Sequence, residues 1–346
     1  MKCGIIGLPN VGKSTFFNII SNSKVLSKNF PFCTIKPNYG IIKIPDDRLF
    51  ELKKIINPIK IIPSEINIVD IAGLIKGSHK GDGLGNKFLS HIRETNAIIH
   101  MIRVFDDIKI SHVEGYIDPI RDKEIIDIEL QLKDLETIEK RLKKIDKKNI
   151  KIHNKNISSL LRNMISFIKE GKSIRMYPFI NNNERKYIED LQLLTIKPIL
   201  YICNINNINH IENNIKIKKL QNIINKENSD ILFISLKNIN RQHLNLIFHS
   251  ILHLLNLKTF FTAGKKEIRA WNIPKLYTAY EASSVIHTDF KKGFIKAEVI
   301  NYNDFIRYKD ETKLKKLGKI FSAGKNYLVQ DGDIMFFKYN INKRNH

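Results

Sequence analysis

The segment Gly7-Leu8-Pro9-Asn10-Val11-Gly12-Lys13-Ser14 fits the phosphate-loop pattern G-x-x-x-x-G-K-[ST]. The apolar residues 2–7 predict a short buried strand before the loop, and residues 15–20 predict a helix after it. A turn between a strand and a helix N-terminus favours phosphate, because free backbone amides and the helix dipole both attract an anion. The segment therefore favours a nucleotide-binding α/β fold and predicts binding of a nucleoside triphosphate.

The residue types in this loop suit contacts to a nucleotide and its metal ion. Gly12 lets the backbone approach the phosphates, Lys13 reaches the β- and γ-phosphate oxygens and assists catalysis, and the Ser14 hydroxyl is a ligand for Mg²⁺. The residues of this loop that we expect to contact the nucleotide are Asn10, Val11, Gly12, Lys13, Ser14 and Thr15.

A second motif, Asp70-Ile71-Ala72-Gly73, follows the apolar strand 66–69. We expect Asp70 to hold Mg²⁺ through water and the Gly73 amide to meet the γ-phosphate, so that hydrolysis releases the following loop. Between the two motifs, Thr34 is placed to close over Mg²⁺ as a switch threonine. The alternative is that Thr34 only begins the strand predicted at 39–44.

Base recognition is expected at Asn204-Ile205-Asn206-Asn207, which follows the apolar strand 198–203. GTPases carry N-K-x-D at this place, and the Asp carboxylate accepts hydrogen bonds from guanine. Asn207 is a neutral amide that both donates and accepts, so we expect weak selectivity for guanine. Asn204, Asn206, Asn207 and Ser235, which ends the next apolar strand, are the expected base-side contacts. The alternative is that the asparagine cluster belongs to a loop remote from the base.

The second motif does not supply a residue that could orient the attacking water. Ras-type enzymes place a glutamine directly after the second motif, whereas this chain has Leu74, which cannot position water. His112 is the candidate replacement, because it follows the strand 97–105, whose carboxyl end should open toward the nucleotide. A surface-loop histidine is the alternative interpretation, and His79 in a glycine-rich loop is the other candidate.

Longer stretches make the chain resemble one family. The segments NFPFCTIKPN (29–38), DIAGLIKG (70–77) and GDGLGNKFL (81–89) together resemble the YchF-type Obg-like ATPases, and the resemblance covers nearly the whole chain. It implies a Mg²⁺-dependent ATPase that prefers ATP over GTP and associates with the ribosome, binding both the 50S subunit and the 70S particle. The chain departs from the family pattern at Asn207, where an N-x-x-E motif is usual, and at Leu236, where a small alanine is usual. A translation-associated GTPase and a nucleotide-gated RNA-binding scaffold with negligible turnover are the alternatives.

The chain is predicted to form three domains. Residues 1–125 and 198–256 form the α/β P-loop NTPase (G-domain) fold, and residues 126–197 form an inserted helical hairpin with helices near 129–142 and 157–165. The hairpin is either a partner-binding arm or a self-contained, solvated element. Residues 258–342 resemble a β-grasp TGS domain. There the basic residues Lys291, Lys292 and Lys296 would contact RNA phosphates and Phe294 would stack on bases, unless Phe294 is core and the lysines are solvated.

Composition bears on partners and compartment. The 346 residues carry a formal charge of +23, which favours a polyanion such as ribosomal RNA, although the Ile-, Asn- and Lys-rich composition is equally typical of A+T-rich codons. The three cysteines lack the spacing of a zinc site or a disulfide framework. The chain has no apolar stretch of membrane-spanning length and begins directly with a core strand, so we expect a cytoplasmic protein without membrane contact.

Overall fold

The computed structural model of the protein describes residues 1–22, 37–71, 84–147, 152–206 and 214–340. Its strands are β1 (Lys2–Ile6), β2 (Asn38–Ile44), β3 (Lys60–Ile62), β4 (Ser64–Asp70), β5 (Ala97–Arg103), β6 (Ile199–Asn204), β7 (Asp230–Ile234), β8 (Leu257–Ala263), β9 (Glu267–Pro274), β10 (Phe294–Ile300), β11 (Ile320–Ala323) and β12 (Ile334–Tyr339). Its α-helices are α1 (Lys13–Ser21), α2 (Asp47–Ile56), α3 (Leu84–Arg93), α4 (Pro119–Asp146), α5 (Ile152–Lys169), α6 (Asn182–Ile188), α7 (Ile215–Lys226), α8 (Arg241–Leu254), α9 (Ala279–Ile286), α10 (Thr288–Lys292), α11 (Tyr302–Tyr308) and α12 (Glu311–Lys316).

The first compact unit comprises Met1–Ile41 and Asn67–Ser250. Its sheet has the strand order β2-β4-β1-β5-β6-β7, and the ladder from β4 through β7 is parallel. The central strands β5 and β6 are buried along their whole length, as expected for parallel strands covered on both faces. The predicted α/β fold is confirmed, and the carboxyl ends of β1, β4, β5 and β6 lie along one edge, where α/β sheets bind ligands.

A helical hairpin is inserted between β5 and β6. The 28-residue helix α4 begins at Pro119 with Asp118 as its N-cap, because the Asp118 carboxylate accepts hydrogen bonds from two first-turn amides. Helices α4 and α5 share a hydrophobic core, as predicted. Its buried residues are Ile138, Leu142, Leu160, Leu161, Met164, Ile168, Ile174, Ile188, Leu191 and Leu193.

One buried carboxylate ties this hairpin to the chain that leads into β6. Asp134 on α4 is fully buried and accepts hydrogen bonds from the backbone amides of Leu194 and Thr195, each 2.7 Å, and from the Thr195 hydroxyl, also 2.7 Å. Three donors compensate the cost of burying this carboxylate. The base of the hairpin is therefore fixed to the nucleotide-binding unit.

The second compact unit comprises Ile42–Ile66 and Ile251–His346, of which the structure describes residues up to 340. Its mixed sheet has the strand order β11-β10-β12-β8-β9-β3. One face packs on α9, and the other packs on α2, α11 and α12. Of the described helices, none is sufficiently long and apolar to cross a membrane.

One feature of this unit differs from the sequence-based expectation. The segment 42–66, which we assigned to the nucleotide-binding domain, groups with the second unit, because β3 pairs with β9 and Leu49 and Leu52 of α2 enter its core. The last strand, β12, begins at Ile334. Residues 327–333 lead into it through a turn in which the Asp333 carboxylate accepts from the Tyr327 hydroxyl and the Gln330 amide, each 2.8 Å.

Phe294 belongs to the core of the second unit. Its side chain is buried, lies edge-on to Tyr280 and Phe337, and is not exposed for stacking on a base. Lys291 and Lys325 instead lie against the ring of Tyr280, at 5.3 and 5.4 Å from its centroid. The core interpretation of Phe294 is therefore correct.

Candidate nucleotide-binding site

The phosphate loop joins β1 to α1 through two glycines that the geometry requires. Gly7 has a φ of 149°, and a Cβ there would lie 2.5 Å from the Met101 carbonyl oxygen. Gly12 has a φ of 102°, and a Cβ there would lie 2.8 Å from the Asn204 amide nitrogen. Helix α1 begins at Lys13 without a side-chain cap, so its first-turn amides are available to an anion.

Lys13 lies inside this loop. Its side chain is buried, and its ammonium group donates a 2.8 Å hydrogen bond to the Leu8 carbonyl. Burial lowers the pKa of Lys13 to about 8, and the nearby Asp70 carboxylate offsets only part of this effect. A cation held in a loop of backbone amides is the arrangement expected for binding a polyphosphate.

Ser14 and Asp70 lie side by side at the ends of the two motifs. The Ser14 hydroxyl donates a 2.7 Å hydrogen bond to Oδ2 of Asp70, which is buried at the end of β4. Burial raises the pKa of Asp70, and the Ser14 hydrogen bond and the Lys13 charge oppose this shift. Oδ1 of Asp70 and the Asn38 amide nitrogen are buried and have no hydrogen-bond partner of normal geometry among the described residues. The Asn38 amide nevertheless lies near enough to Asp70 to oppose the rise in its pKa.

Asn204 connects the phosphate loop to the chain after β7. Its side chain is buried, and its amide nitrogen donates to the Val11 carbonyl at 3.1 Å. Its amide oxygen accepts from the Leu236 amide at 3.4 Å. The structure thus brings Asn204 to the phosphate loop, where its side chain holds two loops together through their backbones.

The loop after β5 also reaches the phosphate loop. Asn10, in the left-handed region with a φ of 62°, donates from its side-chain amide to the Ser111 carbonyl at 3.2 Å. Asn206 donates to the Asp106 carbonyl at 3.0 Å. Residues 106–111 therefore lie between the predicted phosphate contacts and the predicted base contacts.

His112 follows directly in this loop, and its side chain is only 3% exposed. Its Nδ1 accepts the Glu114 backbone N–H at 3.2 Å, so the proton of the neutral ring is on Nε2, which donates to the Asp122 carboxylate at 2.8 Å. Burial raises the pKa of Asp122, and its hydrogen bond to Arg121 opposes this shift. His112 is therefore not a solvent-exposed loop histidine in this structure.

The remaining predicted contacts differ in their surroundings. Thr15 is exposed on the first turn of α1. Ser235 is buried at the end of β7, and its hydroxyl has no hydrogen-bond partner among the described residues. Thr34, Gly73 and Asn207 lie outside the described residues, as do Leu74 and His79.

Sequence reasoning did not identify Arg103 and Asp122 as parts of this site. Arg103 ends a strand of otherwise mostly apolar residues and is only 1% exposed. Arginine is almost never fully buried unless its charge is paired. The position of Arg103 within a predicted apolar strand therefore indicated that its guanidinium has specific partners. Asp122 had no comparable signal, because a carboxylate in the first turn of a helix is ordinary.

Two family models match the chain. The model YchF-GTPase_C, described as a protein of unknown function, matches residues 257–340. The model MMR_HSR1, described as a 50S ribosome-binding GTPase, matches residues 2–156. The first match lies within the second unit, and the second match covers the N-terminal part of the first unit together with residues 42–66.

Curated relatives and a solved structure are similar over the full length. The proteins named "Ribosome-binding ATPase YchF" from Buchnera aphidicola subsp. Schizaphis graminum and Escherichia coli O157:H7 are 45% and 41% identical, and the matches cover 98% of this chain and 99% of each relative. The structure of the Schizosaccharomyces pombe YchF GTPase superposes with a TM-score of 0.83 at 34% identity, covering 98% of this chain and 97% of that one.

Proposed function

This chain belongs to the YchF family, and we propose on that basis, together with the geometry of its phosphate loop, that it is a magnesium-dependent ATPase that associates with the ribosome. The arrangement of Lys13, Ser14 and Asp70 carries the proposal. A buried cation, a hydroxyl and a carboxylate converge at the start of α1, and these are the groups that a nucleotide–magnesium complex needs.

The residues present fit a magnesium ion. Mg²⁺ prefers oxygen ligands and usually keeps several waters; the Ser14 hydroxyl would supply one such ligand, and the Asp70 carboxylate would hold the ion through one of those waters. Oδ1 of Asp70 is buried and lacks a hydrogen bond within the described residues, so it has capacity for a metal-bound water. No group of three or more His, Cys, Asp and Glu is placed for metal binding within the described residues, so nucleotide oxygens, and Thr34 as predicted, would complete the set. When bound, Mg²⁺ neutralises charge on the phosphates.

Binding of the phosphates would exchange one hydrogen bond of Lys13. Its ammonium group, which donates to the Leu8 carbonyl, would turn to the β- and γ-phosphate oxygens, and the first-turn amides of α1 would donate to the same anion. The Gly73 amide would meet the γ-phosphate. Asn10, Val11, Gly12 and Thr15 would contribute loop contacts.

We assign His112 to orienting the attacking water, a role that Leu74 cannot perform. Of the two hydrogen bonds to its ring, the 3.2 Å bond from the Glu114 amide is the longer and would open first. The bond from Nε2 to Asp122 would then keep the tautomer in which Nδ1 accepts a proton from water. His112→Ala should reduce kcat by a factor of about 10² or more while ATP affinity is retained. A wild-type kcat in this variant would remove His112 from the mechanism.

We propose that the site binds ATP in preference to GTP. Asn204 fixes the loops on both sides of the expected base position through Val11 and Leu236, while Asn206, Asn207 and Ser235 would face the base. Asn207 offers no carboxylate to guanine, so GTP should bind more weakly than ATP. Asn207→Asp should raise GTP affinity specifically, and unchanged GTP affinity would place this residue away from the base.

A nucleotide-gated scaffold with negligible turnover is the second candidate, and one observation favours it. Both ring nitrogens of His112 are engaged in hydrogen bonds, so the ring cannot contact water in this conformation. Steady-state hydrolysis of ATP and GTP, with and without ribosomes, separates the two functions. Mg²⁺-dependent ATP turnover that is lost in Lys13→Ala supports the enzyme, whereas tight ATP binding without turnover in either condition supports the scaffold.

The ribosome is the proposed partner, as the 50S subunit and the 70S particle, which places the protein in the cytoplasm. A basic groove with a volume of about 490 Å³, lined by α3, α4 and residues 190–191, suits ribosomal RNA phosphates. Its charged lining residues are Arg93, Lys133, Glu136, Lys140, Arg141, Lys144 and Asp190. The C-terminal unit, the predicted TGS domain, would supply a second contact.

Cosedimentation with ribosomes tests the groove. Lys140→Glu combined with Lys144→Glu should weaken binding and flatten its dependence on salt concentration, because fewer counterions are released. Lys218→Glu combined with Lys219→Glu, which reverses the charge of two exposed lysines on α7 outside the groove, is the matched control. Equal loss in both variants would show that only total charge matters.

A further inference from the structure

Arg103 has an unusual set of partners for a buried charge. Its guanidinium donates to four backbone carbonyls of the loop that follows its own strand. These bonds are Nε to Phe105 at 3.2 Å, Nη2 to Asp107 at 3.3 Å, Nη2 to Ile110 at 3.0 Å and Nη1 to Ser111 at 3.3 Å. The guanidinium also lies 4.5 Å from the centre of the Phe105 ring. The planar fork of one arginine thus determines the path of residues 105–111.

The last of these carbonyls, that of Ser111, connects the loop to the phosphate loop and to His112. The Ser111 carbonyl accepts from Arg103 and also from the side-chain amide of Asn10 in the phosphate loop. The next residue in the chain is His112. A shift of the Ser111 carbonyl would therefore move the imidazole ring relative to the phosphate loop.

The other end of the loop is also fixed. The Asn204 carbonyl accepts the amides of Val104 and Phe105 at 2.9 and 3.1 Å. With both ends fixed and its carbonyls held from inside, the loop has one defined course in this structure. The guanidinium is buried, so these bonds are shielded from competing water.

We propose that Arg103 is a positioning residue that sets His112 relative to the phosphate loop by clamping the carbonyls of residues 105–111. The inference rests on the proposed function, because it assigns the clamp to the histidine of that mechanism. Arg103 touches neither the nucleotide nor the reacting water in this role. Its effect on turnover is transmitted through His112.

Arg103→Lys tests the clamp while keeping the positive charge. Lysine carries its three donors on one nitrogen and cannot reproduce the planar fork that serves four carbonyls. Displacement of a reacting group by about 1 Å costs about 100-fold, so kcat should fall by about 10- to 100-fold while the ATP dissociation constant is retained. Arg175→Lys, which alters another arginine of the same unit whose side chain is largely covered, is the matched control and should keep the wild-type kcat.

A double-mutant cycle with His112→Ala separates positioning from a general structural role. If Arg103 acts through His112, adding Arg103→Lys to His112→Ala should cause no further loss of kcat. Losses that multiply in the double variant, or a wild-type kcat in Arg103→Lys alone, would overturn the inference. A wild-type kcat in His112→Ala would overturn it as well.

The ring of His112 provides a readout that does not need turnover. In protein labelled with ¹⁵N-histidine, the Nε2–H signal that His112→Ala removes should be protected by the bond to Asp122, and it should shift or broaden in Arg103→Lys but not in Arg175→Lys. An unchanged signal in Arg103→Lys would overturn the inference. Absence of ATP hydrolysis by the wild type would refute the proposed function, whereas the ring signal would still decide whether Arg103 positions His112.

Discussion

Replacement of His100 should remove part of the acid sensitivity of the fold. His100 is fully buried in β5, and its ring lies 5.3 Å from that of Tyr201. Burial lowers the pKa of His100 from 6.5 to about 3. The cations Lys123 and Arg175 add to this effect, while the Asp127 carboxylate opposes it.

The sign and size of the effect follow from this shift. The folded pKa lies below the unfolded one, so as the pH falls the unfolded chain binds a proton first and stability decreases. Titration of His100 leaves the free energy of unfolding unchanged above a pH of about 6.5 and lowers it progressively as the pH falls from 6.5 to about 3. At about pH 5 the loss is about 2 kcal/mol, from about 1.5 pH units at about 1.36 kcal/mol each.

His100→Phe keeps an aromatic ring and removes the titration. Urea unfolding followed by circular dichroism, at about pH 8 and about pH 5, gives the free energy of unfolding for both proteins. The decrease between the two conditions should be about 2 kcal/mol smaller in the variant. Any constant cost of fitting the larger ring cancels in this difference. Equal decreases in both proteins would refute the assignment of His100 as a buried neutral group.

Three further substitutions have expected outcomes. Asp134→Ala should lower the free energy of unfolding by about 3 kcal/mol or more, because three buried donors lose their acceptor; urea unfolding measures it. Gly12→Ala should weaken ATP binding strongly, while Gly171→Ala, also at positive φ but with open space around it, should not; calorimetry compares them. Asn204→Ala should weaken ATP binding by about 10-fold, since an unsatisfied Val11 carbonyl costs about 1–3 kcal/mol, and unchanged affinity would contradict its bridging role.

The sequence was sufficient for the parts of the site that lie in short motifs at the ends of predicted strands. The phosphate loop was predictable because its glycines, Lys13 and Ser14 belong to one uninterrupted motif between a strand and a helix. Asp70 was predictable because parallel strands end at the same edge of a sheet, so a carboxylate at a strand end should lie near the phosphate loop.

Other parts of the structure depend on contacts that local patterns do not encode. The three-residue strand β3 pairs with β9, about 200 residues later in the chain, so the segment 42–66, which we placed in the nucleotide-binding domain by proximity in sequence, groups with the second unit. The pairing of His112 with Asp122 and the clamp by Arg103 depend on the course of an irregular loop. The course of such a loop is determined by its tertiary hydrogen bonds, and the hydrophobic periodicity of the sequence does not predict these bonds.

Equilibrium binding of ATP and GTP in Mg²⁺ buffer, measured by calorimetry on the wild type and on Lys13→Ala, tests the central claim most directly. The absence of a guanine-binding carboxylate at Asn207 predicts that ATP binds more tightly than GTP, and the contact of Lys13 with the phosphates predicts that binding is greatly weakened in the variant. Tighter binding of GTP, or ATP affinity that is unchanged by Lys13→Ala, would contradict the account.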